Sequence, residues 1–195
     1  DLVIGAQSSG QGHETTFRQI GAKFLGVPFE CIDYRYGDTS FVKDGSGSHS
    51  ARTMRVGGHL FSQTRDEIIE RGKAIAAHIL ECAVADVQFA GGKFSVSGAD
   101  LDVGLFDVAQ AAESRTDLPE NLQGPLRAVA RIDKPMPAYP NGCHVVEIEL
   151  DPDTGAVAIT RYAAVDDVRT VVNPMIVDGP VHGGLAQGGG QARSP

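Results

Sequence analysis

Residues 1–25 read "DLVIGAQSSGQGHETTFRQIGAKFL", passing from a strand-like run through two glycines one residue apart into a helix-like run. Residues 2–6 are short and apolar. From His13 onward Phe17, Ile20, Gly21 and Phe24 recur at i, i+3, i+4 and i+7, the stripe of an amphipathic helix, and Gly26 with Pro28 ends it. A strand, a tight glycine turn and a helix start leave unpaired N–H donors and a partial positive charge at the turn, where an anion is well placed. The phosphate fingerprints are nevertheless incomplete. No Gly-Lys-Ser or Gly-Lys-Thr follows, and the third glycine of a dinucleotide turn would fall at Thr15. His13-Glu14 also lacks the second histidine of a zinc-protease helix. Taken alone, the turn reads equally as a plain connection.

Outward from this unit the pattern alternates between strands and helices. "FECIDYRY" (29–36) predicts a strand closing at Gly37-Asp38-Thr39, and a Gly/Ser cluster, "DGSGSHSART" (44–53), follows. Thr64 to Glu67 fits a capping box, with Ile68, Ile75, Ile79 and Cys82 holding one stripe of a helix to about residue 83. "VQFAGGKFSV" (87–96) predicts a hairpin, and residues 105–114 a helix. The proline-rich passage 119–140 predicts connecting chain with one strand near 126–132. "HVVEIELD" (144–151), the turn "PDTG" and "AVAITRYAAVDD" (156–167) predict a long antiparallel hairpin. After Asn173-Pro174 a helix runs through Ile176, Val177, Leu185 and Ala186, with Gly179-Pro180 expected to break or restart it. The class is α+β: two layers, mixed sheets with helices. Residues 1–118 form a first part, 119–142 a connecting segment and 143–195 a closing hairpin and helix. Both ends read as cut from a longer polypeptide.

With 25 acidic and 17 basic residues, a net charge of -8 speaks against nucleic acid as a partner, since phosphate-backbone binding needs clustered cations. No apolar run reaches the length of a membrane span. Cys31, Cys82 and Cys143 are odd in number and far apart, and predict reduced, buried thiols of a cytoplasmic protein.

Two further loops share the character of the first. "GSGSHSART" (45–53) offers hydroxyls, glycine N–H groups and Arg52, whose guanidinium suits bidentate phosphate contact; a surface loop is the plain alternative, and His49 reads as a solvated side chain. "HGGLAQGGGQA" (182–192) places glycines in a helix, each costing roughly 1 kcal/mol against alanine, which suggests that a backbone or ligand comes close there.

Together these loops resemble the large, molybdopterin-binding subunit of the molybdenum hydroxylases, the family of xanthine dehydrogenase, aldehyde oxidase and aerobic carbon monoxide dehydrogenase. The resemblance is carried by "GQGHETTFRQIGAKFLGVPFE" with "GDT", by "GSGSHSARTM", and by the segment from Tyr139 to Ala192; it is weakest over 86–135. It implies a molybdenum cofactor-binding domain. Gln11, Gly12 and His13, with Glu14 and Thr15, would lie along the pyranopterin and its dinucleotide phosphates. Ser48, Ser50, Arg52 and Thr53 would close on the same pyrophosphate or nucleotide, and Gln187-Gly188 would face the pterin and metal end. A carbon-monoxide-dehydrogenase-like pattern implies the cytosine dinucleotide form.

The resemblance further implies an enzyme that hydroxylates aldehydes, N-heterocycles or related substrates with water. Its partners are the rest of the large subunit and the iron–sulfur and FAD subunits or domains. The family's general-base glutamate is that of a Gly-Glu motif expected after this segment, which this chain does not contain, so no catalytic residue is assigned and the chain by itself is expected to be silent. Departures are Gly189 for an isoleucine, Pro180 for a glutamine, and Arg169 where glycine is frequent. The rival reading is a non-catalytic scaffold or assembly domain with the same fold and no cofactor.

Overall fold

The computed structural model describes residues 1–45, 47–133 and 138–193; Ser46 of the second loop and residues 134–137 of the connecting passage lie outside them. In chain order the elements are β1 (Leu2–Val3), α1 (His13–Leu25), β2 (Tyr34–Arg35), α2 (Thr53–Ile79), β3 (Val87–Ala90), β4 (Lys93–Val96), β5 (Asp102–Gly104), α3 (Leu105–Ser114), β6 (Asn141–Leu150), β7 (Val157–Asp167) and α4 (Pro174–Arg193). The α+β class holds. The described strands form a parallel β1-β2 pair, an antiparallel β3-β4-β5 sheet and an antiparallel β6-β7 pair.

Helix α2 organises the first two-thirds of the chain. Its N-terminal half packs on α1 through Phe61, beside Phe17 and Ile4, while its C-terminal half buries Ile75, Ala76 and Ala77 against Val87, Phe94, Leu105 and Val108. Two glycines allow these approaches. A Cβ at Gly57 would lie 2.6 Å from Phe17 Cζ, and one at Gly72 would overlap the Phe94 ring. At 27 residues the helix is longer than the capping box predicts. Thr64 is not a start but an interior residue, its hydroxyl donating back to the Leu60 and Phe61 carbonyls at 3.1 and 3.2 Å. Gly57 and Gly58, poor helix formers, obscure the first half in the sequence.

Helix α1 and α3 take the predicted bounds, and Gly91-Gly92, with φ of +57 and +79, turns β3 into β4 as a primed hairpin turn does. Strand β5 was not foreseen. The strand predicted over 29–36 is reduced to Tyr34–Arg35, because Phe29–Cys31 forms a 3₁₀ turn whose carbonyl ends are taken by Arg18. Arg18 Nε donates to Ile32 O at 2.8 Å and Nη2 to Phe29 O at 3.2 Å. No strand forms over 126–132. Just before it, Arg71 of α2 donates to the carbonyls of Leu122, Gln123, Gly124 and Pro125 at 2.7 to 3.2 Å, fixing the passage as irregular chain.

The long hairpin pairs from Asn141↔Asp167 to Leu150↔Val157, with an irregularity at Glu147/Ile148. Val146, Ile148 and Leu150 share one face with Tyr162, Ile159 and Val157. Helix α4 runs through Gly179-Pro180 without a break, contrary to expectation; the proline there removes one backbone bond, that to the Ile176 carbonyl. Its glycines are not crowded by described residues of this chain: Gly183, Gly184, Gly188 and Gly190 have open space, and only Gly189 nears a neighbour, Ile159. Arg169 holds φ +60, a left-handed conformation that explains why glycine suits this position. The thiols are free, but the expected burial fails: Cys31 sits in an exposed turn, Cys143 on the exposed hairpin, and Cys82 is half-buried. Among the described residues no helix is long and apolar enough to cross a membrane.

Candidate functional site

Where α1 and α2 cross, their N-termini open on one cavity of about 250 Å³, lined by Gln11, His13, Ser48, His49, Ser50, Ala51, Thr53 and Met54. The crossing is fixed by Phe17 against Phe61, edge to face with ring centres 5.2 Å apart, and by the Thr16 hydroxyl 3.5 Å from Met54 Sδ. Neither helix has a side-chain cap: Gly12 precedes α1 and Arg52 precedes α2. First-turn N–H groups of both helices therefore have no intrahelical partner, and two positive dipole ends converge on one space.

Backbone conformation at the rim is specialised. Gly10, Gly12 and Gly47 have φ of +101, +75 and +69, as glycine permits, but Ser50 and Ala51 also hold φ of +56 and +52. Two successive side-chain-bearing residues in the left-handed region store strain of the kind found at ligand-binding turns. Ser48 Oγ donates to the Gln7 carbonyl, tying the second loop to the first, and the Gln11 amide oxygen accepts from Ser9 N. His49 Nδ1 and Ser50 Oγ are 3.0 Å apart.

His13 and Thr53 are the buried polar residues of this wall, 7% and 8% exposed, and His13 Nδ1 has no hydrogen-bond partner. Burial lowers the imidazole pKa below its ordinary 6.5, opposed by the nearby Gln7 carbonyl, so the ring is neutral at pH 7. An unsatisfied buried nitrogen costs on the order of 1–3 kcal/mol.

Of the residues expected from sequence, Gln11, His13, Ser48, Ser50 and Thr53 come together here. Gly12 forms the turn beneath them. Arg52 is half-buried between Ala51 and Thr53 at the start of α2. Thr15 is half-buried in the first turn of α1 and is not part of the lining. Glu14 turns away: its carboxylate accepts from the Tyr36 hydroxyl and borders a second groove with Arg18, Glu30, Cys31, Ile32, Asp33 and Tyr34. That groove is larger, about 320 Å³. It is a poorer anion site, since three carboxylates line it and Arg18 is bonded to backbone carbonyls. Burial pushes the unpartnered Tyr34 hydroxyl there well above the usual phenol range.

Gln187 and Gly188 are exposed on α4 and outside the cavity lining. They follow Ile176, which touches Gly12, by roughly 16 Å of helix. Met54 lines the cavity too, as does His49, which is exposed as expected of a solvated side chain; the strained turn that places it has no sequence signal beyond its small residues.

A family profile described as "Molybdopterin cofactor-binding domain" matches residues 1–194. The carbon monoxide dehydrogenase large chain of Hydrogenophaga pseudoflava is 36% identical over 186 residues, 95% of this chain and 23% of that protein. The nicotine 6-hydroxylase large subunit of Paenarthrobacter nicotinovorans is 35% identical over 189 residues, covering 96% and 23%. Among solved structures, reconstituted CO dehydrogenase from Oligotropha carboxidovorans superposes with a TM-score of 0.83 at 35% identity over 94% of this chain and 23% of that one. Quinoline 2-oxidoreductase from Pseudomonas putida 86 gives 0.79 at 35%, over 95% and 24%. The chain thus spans about a quarter of the length of these relatives. Profile, sequence and fold agree that the chain belongs to the molybdopterin cofactor-binding domain family and corresponds to a segment of a molybdenum hydroxylase large subunit.

Proposed function

We propose that this chain holds part of a molybdopterin cytosine dinucleotide cofactor within a molybdenum hydroxylase large subunit. The carrying observation is the cavity at which two helix N-termini without side-chain caps meet, with the buried His13 on its wall. These residues fit the group. N–H donors at the starts of α1 and α2 suit phosphate oxygens, the Ser48, Ser50 and Thr53 hydroxyls can donate or accept, and Gln11 and His13 suit the polar edge of a heterocycle. Arg52 is outside the cavity lining but precedes Thr53 at the α2 start, where its positive charge would act on a bound phosphate. When bound, the cofactor supplies the molybdenum at which a substrate is hydroxylated with oxygen from water.

The chain's own part is to bind and orient. Glu14 and Thr15 support the turn from its outer side, and Gln187 with Gly188 meets the cofactor only if other parts of the subunit bring it to α4. Residues 1–118 and 143–195 act as two portions of the holding surface, joined by 119–142. The general base comes from outside this segment. Substrates are aldehydes, N-heterocycles or related small molecules, electrons leave through iron–sulfur clusters and FAD on partner subunits or domains, and the setting is cytoplasmic.

The test is Arg52→Ala in the complete large subunit, read by molybdenum content and by mass spectrometry of the pterin nucleotide. Occupancy is expected to fall while the melting temperature stays close to that of the parent. Unchanged occupancy removes Arg52 from the site, and absence of any pterin nucleotide from the well-folded parent favours the scaffold reading.

A further inference from the structure

The turn that begins the cavity is held from an unexpected direction. Asn173 and Ile176 lie about 160 residues along the chain from Gly12 and Gln19, yet both reach α1. A Cβ at Gly12 would fall 2.8 Å from Ile176 Cγ2 and 3.0 Å from its Cδ1, so the isoleucine fills the space beside the glycine that starts α1. Two turns later, Gln19 Oε1 accepts from Asn173 Nδ2 at 3.2 Å. Asn173 works at both ends of its amide, because its Oδ1 accepts from Ile176 N at 3.2 Å and so caps α4 as well. The neighbouring Met175, at 76% exposed, takes no part in this contact.

No residue of α4 is fully buried, and Ile176 is half-buried. The contacts of its first turn fall on the element whose N-terminus lines the cavity. Gly12, with φ +75, is also a position where the chain would fluctuate freely if nothing leaned on it.

We infer that Asn173 and Ile176 form a latch that positions the Gly12 turn for ligand binding, with Ile176 the principal positioning residue; the inference rests on the cofactor reading above. The Ile176 side chain excludes water from beside Gly12 and limits the turn to one conformation, so that the N–H groups of residues 13–15 stay aimed at the cavity. Asn173 sets the distance between the two helix starts. Closing residues of the segment thereby govern a site built from its opening ones.

The experiment uses the complete large subunit in its enzyme, with Ile176→Ala, Ile176→Val, Asn173→Asp and, as the neighbouring control, Met175→Ala. Two quantities are read: amide hydrogen exchange over residues 11–16, and molybdenum with pterin nucleotide per subunit. Ile176→Ala is expected to speed exchange over 11–16 about fivefold and to lower cofactor content, with the melting temperature nearly unchanged. Ile176→Val, which keeps the Cγ2 contact, restores both. Asn173→Asp, which retains the α4 cap but loses the donor to Gln19, shifts both in the same direction. Met175→Ala shifts neither. Unchanged exchange over 11–16 in Ile176→Ala and Asn173→Asp overturns the latch whatever the cofactor content. Faster exchange with full cofactor content keeps the contact and overturns both its role in binding and the assignment of the Gly12 turn to the cofactor.

Discussion

His13 shows how one side chain's surroundings set its charge. Its imidazole is buried in the first turn of α1, where the loss of water disfavours a second proton more than the Gln7 carbonyl favours it. The folded-state pKa lies below 6.5, so between that value and 6.5 the unfolded chain binds more protons than the folded one. Stability therefore rises with pH through this window and falls as pH drops below about 6.5. Urea denaturation at pH 7.5 and 5.5 should show the parent losing more stability than His13→Gln, which has nothing to protonate. Equal losses would show that His13 is not the group responsible. The same residue was legible in sequence as part of a glycine-turn motif. Its burial was not, because the neighbouring Phe17 ring is itself packed by Phe61, which arrives from α2.

At the scale of elements, Arg71 fixes a stretch of irregular chain. The passage after α3 has no ladder of its own, and one guanidinium satisfies four consecutive carbonyls from Leu122 to Pro125. Only a planar, multi-donor head on a long stem can serve so many acceptors, and lysine presents one point charge instead. Arg71→Lys should destabilise the chain by roughly 1–3 kcal/mol, read as a lower urea midpoint, with faster proteolysis confined to 119–132. A midpoint within error of the parent would show that the carbonyls find water instead.

What the sequence made legible at this scale follows contact range. Helices α1 and α3 and both antiparallel hairpins announce themselves through local periodicity and turn residues. The errors fall where a distant group overrides local preference. Arg18 converts half of a predicted strand into a turn, and Phe17 gives Gly57 a place inside a helix that local propensity would end. Within the site, the two loops were recognisable by composition and motif. Their convergence with Met54 and His49 was not, since it depends on the crossing of α1 and α2.

At the scale of the whole molecule, the chain is unevenly consolidated. Ile75, Phe94 and Val108 are fully enclosed, while Ile148 and Leu150 on the hairpin are 59% and 60% exposed, as extended faces rather than isolated side chains. A two-stranded hairpin with one apolar face is marginal in water by itself, and α4 meets it where Gly189 nears Ile159. Native-state hydrogen exchange on this 195-residue chain should therefore be hierarchical. Amides near Ile75, Phe94 and Val108 should exchange only through global unfolding, and those of β6, β7 and α4 much sooner. The comparison is made at two protein concentrations. Fast hairpin exchange at both identifies the face as one stabilised by contacts beyond this chain, as expected of a segment spanning a quarter of its relatives. Slow exchange at high concentration alone means that copies cover one another, and slow exchange at both contradicts the uneven consolidation that the exposed face implies.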